Sequence, residues 1–331
     1  MVRTIIVEEL GGPHVMRMVD RDPGRPGPGE VRIRHDALGV NFADIHYRRG
    51  TAPRHSMDKL PMPFTPGLEG VGHVEEIGAG VTTLKPGDRV AYASSSLTIG
   101  AYADARLYPA DRCFVLPDSI AAQDAAAMLY KAITVQGMIR QCYPVKAGDT
   151  ILLHAAAGGI GTILSQWARH LGATVIGTVS AASKMERALA NGCAHVIVNA
   201  EEDFVARTLE ITEGRGVDVC FDGVGISVFR RSLAAIRRYG MMVSFGQASG
   251  LVAPLDPIEL QFEGLYLTKF SGSTYNEYAD EYQARAKDVV EAMATGVFAL
   301  GTQSTYGLDE VVRAHEDLEG QRVLGSLVLV P

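Results

Sequence analysis

Residues 148–169, GDTILLHAAAGGIGTILSQWAR, restrict the surrounding fold more than any other stretch of the chain. Residues 150–155 are an apolar run of strand length and 156–161 a turn of small residues. Residues 160–171 read as a helix, with Ile160, Ile163, Leu164, Trp167 and Leu171 at helical spacing. A strand that feeds a helix through so tight a turn points free backbone N–H groups beyond the edge of a sheet, where phosphate is their natural partner. In the dinucleotide fingerprint G-x-G-x-x-G, Ala156 takes the first place, and Gly158 and Gly161 the second and third. Glycine at the second place lets the backbone approach a pyrophosphate, and at the third lets helix and strand pack closely. The glycines alone would also fit a plain strand–turn–helix.

The residues after the helix shift that balance. A fold that prefers NAD places an acid about 20 residues past the first glycine, where it binds the ribose hydroxyls. Here the second strand, 174–179, runs into Ser180, Ala181, Ala182, Ser183 and Lys184, with no carboxylate before Glu186. Two hydroxyls and an ammonium suit a 2′-phosphate that an acid would repel, so the expected cofactor is NADPH. Lys184 and Arg187 also suit the exposed face of a helix.

From residue 1 to about 126 the chain is rich in short strand patterns broken by Gly and Pro, with candidates at 4–7, 31–35, 71–77, 89–93 and 101–105. Lys85-Pro86-Gly87-Asp88 and Lys146-Ala147-Gly148-Asp149 share a turn grammar, each launching a strand. From about 127 to 272, strands expected at 150–155, 174–179, 195–198, 217–222, 241–245 and 265–270 alternate with helices. Gly172, Gly192, Gly214 and Gly240 are read as closing those helices. That order fits a doubly wound parallel sheet, an α/β Rossmann domain, beside a β-rich first domain. A helix over 276–294, a strand, a helix over 308–318 and a strand over 324–330 are expected to return the tail 273–331 to the first domain.

Composition narrows the function classes. A chain of 331 residues with 47% hydrophobic content is long enough for about two buried cores. A formal net charge of -7 with scattered basic residues argues against a surface for nucleic acid or anionic membrane. No apolar run approaches the ~18 residues that span a bilayer, and residues 1–7 lack the pattern of a secretory signal, so a cytoplasmic protein is expected. Cys113, Cys142, Cys193 and Cys220 lie far apart with no C-x-x-C pair, as buried small hydrophobes would.

With these residues in hand, the chain resembles the zinc-independent quinone oxidoreductases of the medium-chain dehydrogenase/reductase superfamily, the group that includes ζ-crystallin. The resemblance rests on Gly148-Asp149, Leu152, Ala156-Ala157-Gly158-Gly159-x-Gly161, Gln166 and Arg169. Further matches are Gly39-Val40-Asn41-Phe42-x-Asp44, Gly67-x-Glu69-Gly70-x-Gly72, Gly87-Asp88-Arg89-Val90 and Val243-Ser244-Phe245-Gly246. It implies a GroES-like catalytic domain (1–126, completed by 273–331), a Rossmann domain (127–272), NADPH in the cleft between them and a homodimer. By that resemblance Ser180 and Lys184 hold the 2′-phosphate, Gly159 and Ile160 the pyrophosphate, and Phe245 and Gly246 the nicotinamide ribose. Phe42, His46, Ala157, Gly158, Ser183, Asn199 and Ser271 complete the cofactor set. Asn199 stands where the family often has a tyrosine.

Zinc-dependent relatives need a cysteine in the early loop, a histidine beside the Gly-x-Glu motif and four structural cysteines. This chain has Asn41-Phe42-Ala43-Asp44 and Leu68 there, so no metal is expected; His46, His55 and His73 read as surface or turn residues. Hydride reduction of a quinone yields an acidic hydroquinone anion, so no dedicated general acid is needed. Candidate groups for the acceptor's oxygen are Asn41, Tyr47 and Thr134, with Tyr47 also suited to packing and Asn41 to capping a turn. Residues 53–66 are expected to line the entrance. The expected partner is a small-molecule quinone or conjugated carbonyl acceptor. The alternatives are an enone or enoyl double-bond reductase, and a non-catalytic NADPH- or RNA-binding protein.

Overall fold

The computed structural model describes residues 1–52, 54–93, 98–261, 263–276, 278–299, 303–320, 322–323 and 325–331, with 54, 55, 273 and 274 described by backbone alone. Pro53, the side chain of His55, Glu277 and Leu324, all within the expectations above, lie outside the described residues. The chain divides into two compact units, Met1–Ile133 with Ser273–Pro331, and Thr134–Gly272.

In the first unit, β1 (Val2–Val7) and β2 (Met16–Arg21) form an antiparallel hairpin. The sheet is built on β3 (Glu30–Val40), where Val31, Ile33 and His35 alternate inward at the two-residue period of a half-buried strand. β3 pairs antiparallel with β4 (Glu69–Ile77), with β6 (Ala105–Pro109) and with the C-terminal strand Ser326–Val330. β5 (Arg89–Ala93) and β7 (Phe114–Val115) extend the far side, and Gln303–Gly307 lies parallel to Ser326–Val330. Ile5, Val31, Ile33, Leu38, Tyr102, Tyr108, Leu327 and Leu329 share one core, so residues from both ends of the chain fill it together.

The strand read at 101–105 falls instead at Ala105–Pro109. Residues 102–104 bridge two neighbours rather than joining the ladder: Tyr102 N–H donates to Pro66 O at 2.9 Å, and Ile5 N–H to Tyr102 O at 2.9 Å. Helix α1 (Phe42–Arg49) follows β3 directly. Helix α2 (Ala122–Gly137) is continuous, and the division between the units falls inside it after Ile133, not at residue 126. The tail helices cover Ala279–Ala294 and Val311–Glu319.

The second unit is a six-stranded, wholly parallel sheet of β8 (Thr150–Leu153), β9 (Thr174–Val179), β10 (His195–Val198), β11 (Val217–Asp222), β12 (Ile236–Ser244) and β13 (Tyr266–Lys269). Its spatial order is β10-β9-β8-β11-β12-β13, the doubly wound α/β order. Helices α3 (Gly159–His170), α4 (Met185–Ala190) and α5 (Phe204–Ile211) are followed by Gly172, Gly192 and Gly214 at φ of 84, 103 and 83°. Gly240 ends no helix: α6 (Phe229–Leu233) stops earlier and Gly240 lies inside β12. A Cβ there would stand 2.9 Å from Asp218 O on the neighbouring strand, so glycine is needed for contact within the sheet. Among the described residues no helix is long and apolar enough to cross a membrane.

Candidate functional site

The C-terminal edge of the parallel sheet gathers the residues of the fingerprint. β8 ends at Leu153 because Ala155 turns the chain at φ 55°, and its carbonyl accepts the N–H of Gly158 at 2.9 Å. A Cβ on Gly161 would stand 2.5 Å from Ala155 O and 2.6 Å from Ala156 O, so the third glycine is sterically required. The methyl of Ala156 at the first place has its own accommodation. Gly177, on β9, faces it, and a Cβ on Gly177 would come within 2.7 Å of Ala156 Cβ. No side chain caps α3 at Gly158, so the first-turn N–H groups of Gly159 and Ile160, on a half-exposed turn beside Ala157, retain their capacity to donate. Uncapped N–H groups at the positive end of a helix suit a pyrophosphate.

One strand over, Lys184 Nζ donates to Ser180 Oγ at 3.1 Å just past the end of β9, and Ser183 is exposed beside them. Asn199 follows β10 and is tied back to the same edge, its N–H donating to Val179 O at 2.9 Å. Ser180, Ser183 and Lys184 are thus brought together, and the first carboxylate in sequence, Glu186, lies within α4. This donor set fits a 2′-phosphate.

Beyond β11 and β12 the backbone narrows. Phe245 N–H donates to Asp222 O at 2.8 Å, and a Cβ on Gly246 would stand 2.5 Å from Gly223 O, so these two segments meet only as glycines. Ser271 is half-buried, beyond the end of β13. The sequence reading missed Asp222 and Lys269 here. Asp222 Oδ1 accepts from the N–H of Val224 at 2.7 Å and of Gly225 at 3.0 Å, while Oδ2 is buried without a partner among the described residues. Burial raises its carboxyl pKa against those bonds and the nearby Lys269. Lys269, whose own pKa burial lowers, points Nζ at Ser244 Oγ, 3.4 Å away. The available signal was a carboxylate closing the otherwise apolar end of a strand, Val219-Cys220-Phe221-Asp222.

In the first unit, Asn41 caps α1. Its N–H donates to Asp44 Oδ2 at 2.8 Å and its Nδ2 to Glu69 Oε1 at 2.7 Å, while Glu69 Oε2 accepts from Tyr130 N–H at 2.6 Å. A Cβ on Gly39 would stand 2.1 Å from Glu69 Oε1, which explains that glycine. Burial pushes Asp44 up to about 7 and raises Glu69, with Lys131 opposing both; burial lowers Lys131 in turn. Tyr47 lies in the hydrophobic core of this unit, 7% exposed. Thr134 is buried on α2, Phe42 is 52% exposed, and His46 is half-buried with Nδ1 2.9 Å from Thr51 Oγ1. Asn41 and Leu68 are both buried. His73 pairs with Asp36, and among the described residues no group of three His, Cys, Asp or Glu side chains is placed to hold a metal.

Two family models match the chain: an alcohol dehydrogenase GroES-like domain over residues 27–118 and a zinc-binding dehydrogenase over residues 159–291. Quinone oxidoreductase 1 of Escherichia coli K12 is 39% identical over 334 residues, covering 100% of both chains. A 2-haloacrylate reductase from a Burkholderia species is 38% identical over 335 residues, covering 100% of this chain and 99% of that protein. Among solved structures, E. coli quinone oxidoreductase complexed with NADPH superposes with a TM-score of 0.92 at 38% identity, covering 99% of this chain and 100% of that one.

Proposed function

Because the chain belongs to the quinone oxidoreductase family of the medium-chain dehydrogenase/reductase superfamily, we propose that it is an NADPH-dependent quinone reductase that works without zinc. The observation that carries this is the sheet edge of the second unit, where an uncapped helix start stands beside Lys184 and Ser180 with no acid between them. Bound there, NADPH supplies a hydride from its nicotinamide. The chain's residues bind and orient. Gly159 and Ile160 offer N–H groups to the pyrophosphate, with Ala157 and Gly158 keeping the approach open. Lys184, Ser180 and Ser183 take the 2′-phosphate beside Asn199, and Phe245 and Gly246 flank the nicotinamide ribose. Phe42, His46 and Ser271 are assigned to the cofactor on the family resemblance alone. For the acceptor's oxygen we retain Asn41, whose amide nitrogen carries two N–H groups, one of them held by Glu69, together with Thr134.

Purified protein mixed with NADPH and a panel of quinones should consume the cofactor. No turnover with any quinone, alongside turnover with an enone, would overturn the assignment. The similarity to a 2-haloacrylate reductase supports a second reading, hydride addition to an activated double bond, with the proton going to the α-carbon. Deuteride transfer followed by product analysis separates the two. As an assembly we propose a homodimer. β13 leaves one edge of the parallel sheet open and bears exposed Tyr266 and Leu267. The acidic charge fits a cytoplasmic enzyme of small molecules without nucleic-acid partners.

A further inference from the structure

A chain of polar side chains runs under the sheet edge of the second unit. It passes through His154, the residue just before the phosphate turn, which is 1% exposed. His154 Nε2 lies 2.7 Å from Ser232 Oγ on α6, and Nδ1 lies 2.9 Å from Thr178 Oγ1 on β9. Thr178 Oγ1 is also 3.4 Å from Asn199 Nδ2, at the surface. Every one of these residues belongs to the same unit.

Counting protons gives each link a direction. Ser232 Oγ is 2.8 Å from Val228 O, and a carbonyl carries no proton, so the serine hydroxyl donates there. Its contact with His154 is therefore made by an N–H on Nε2. Burial keeps the imidazole neutral, its pKa lowered to about 4, so Nδ1 carries no proton and accepts from the Thr178 hydroxyl. With its one proton committed, Thr178 can only accept from Asn199, whose amide must turn an N–H inward. Oδ1 and the second N–H are then left on the exposed side.

The place of that amide gives its orientation a use. Asn199 N–H is bonded to Val179 O at 2.9 Å, at the end of β9, and Ser180 follows directly. There a Rossmann fold meets the adenosine ribose, and an NAD-binding member sets a carboxylate to accept from the 2′-hydroxyl. An amide oxygen can accept from the same hydroxyl, yet it gains nothing from a 2′-phosphate, itself an acceptor. We propose that His154 and Thr178 are positioning residues that hold the Asn199 oxygen outward for the 2′-hydroxyl of NADH, which makes NADH a second coenzyme of this chain beside NADPH. The proposal rests on the reading of this edge as the coenzyme site.

NADH and NADPH titrated separately into the full chain, followed by nicotinamide fluorescence, should both bind saturably, NADPH the more tightly. Thr178→Val removes the hydroxyl and frees the amide to turn. It should weaken NADH about three- to tenfold, as loss of one hydrogen bond does, and leave NADPH within about twofold. Thr178→Ser, which keeps the hydroxyl, should restore the wild-type ratio. Should Thr178→Val fail to fold, 2′-deoxy-NADH decides: the wild type should bind it more weakly than NADH by the same factor, and Asn199→Leu, altered at an exposed side chain, should bind the two alike. If neither coenzyme binds, the reading of the edge falls and the proposal with it. With NADPH bound, the proposal alone is overturned by absent NADH binding, by equal losses of both coenzymes in Thr178→Val, by full NADH affinity there, or by equal wild-type binding of NADH and its 2′-deoxy analogue.

Discussion

Gly177 and Ala156 divide a space that a single methyl group fills. A second methyl on Gly177 would press on Ala156 Cβ at 2.7 Å and on Cys193 Sγ at 2.6 Å. Gly177→Ala should therefore cost about 1–3 kcal/mol in urea unfolding, as overpacking does. Ala156→Gly in the same chain should recover part of the loss, leaving the Cys193 contact. Lys184 makes a different kind of contact. A hydrogen bond to a charged group is worth about 1.5–3 kcal/mol, so Lys184→Ala should weaken NADPH roughly ten- to a hundredfold while leaving NADH nearly unchanged. Equal losses in the two titrations would show a lysine that serves only the surface.

At the scale of elements, α1 starts on a buried carboxyl. Asp44, pushed up to about 7 by burial, has a folded pKa above its unfolded value of about 3.9, so the native state holds the extra proton. Its contribution to stability is complete below about pH 4 and is lost as pH rises to about 7. Asp44→Asn, which keeps an acceptor for the Asn41 N–H, should flatten the stability profile over that window by on the order of 4 kcal/mol, measured by denaturant unfolding at several pH values. Elements whose pattern is local were legible in the sequence. Arg89–Ala93, Thr174–Val179, His195–Val198 and Val217–Asp222 fall where their apolar runs lie, because each is decided by its own burial. What escaped depends on partners distant in the chain. β2 is largely exposed and exists because β1 pairs with it, and residues 101–105 read as a strand although the ladder begins only at Ala105. The glycines of the phosphate turn announced themselves, whereas Asp222 and Lys269 come together only in the fold.

For the whole molecule, the open edge of β13 gives the assembly prediction its test. Leu267→Asp should shift the mass measured by light scattering from dimer to monomer, and an unchanged mass would place the contact elsewhere. A further consequence comes from the strand Ser326–Val330, which pairs with β3 by matching Leu327 to Val40 and Leu329 to Leu38. On the ribosome Val40 emerges well before Leu327, by on the order of tens of seconds. The inserted unit is released whole in the meantime, so it can fold while the flanking β-sheet waits with an unfilled place beside β3. Clipping the last few residues should accordingly yield a product in which protease digests the outer portion and spares a fragment near 134–272. In a cell, this interval is when a chaperone would have a surface to hold.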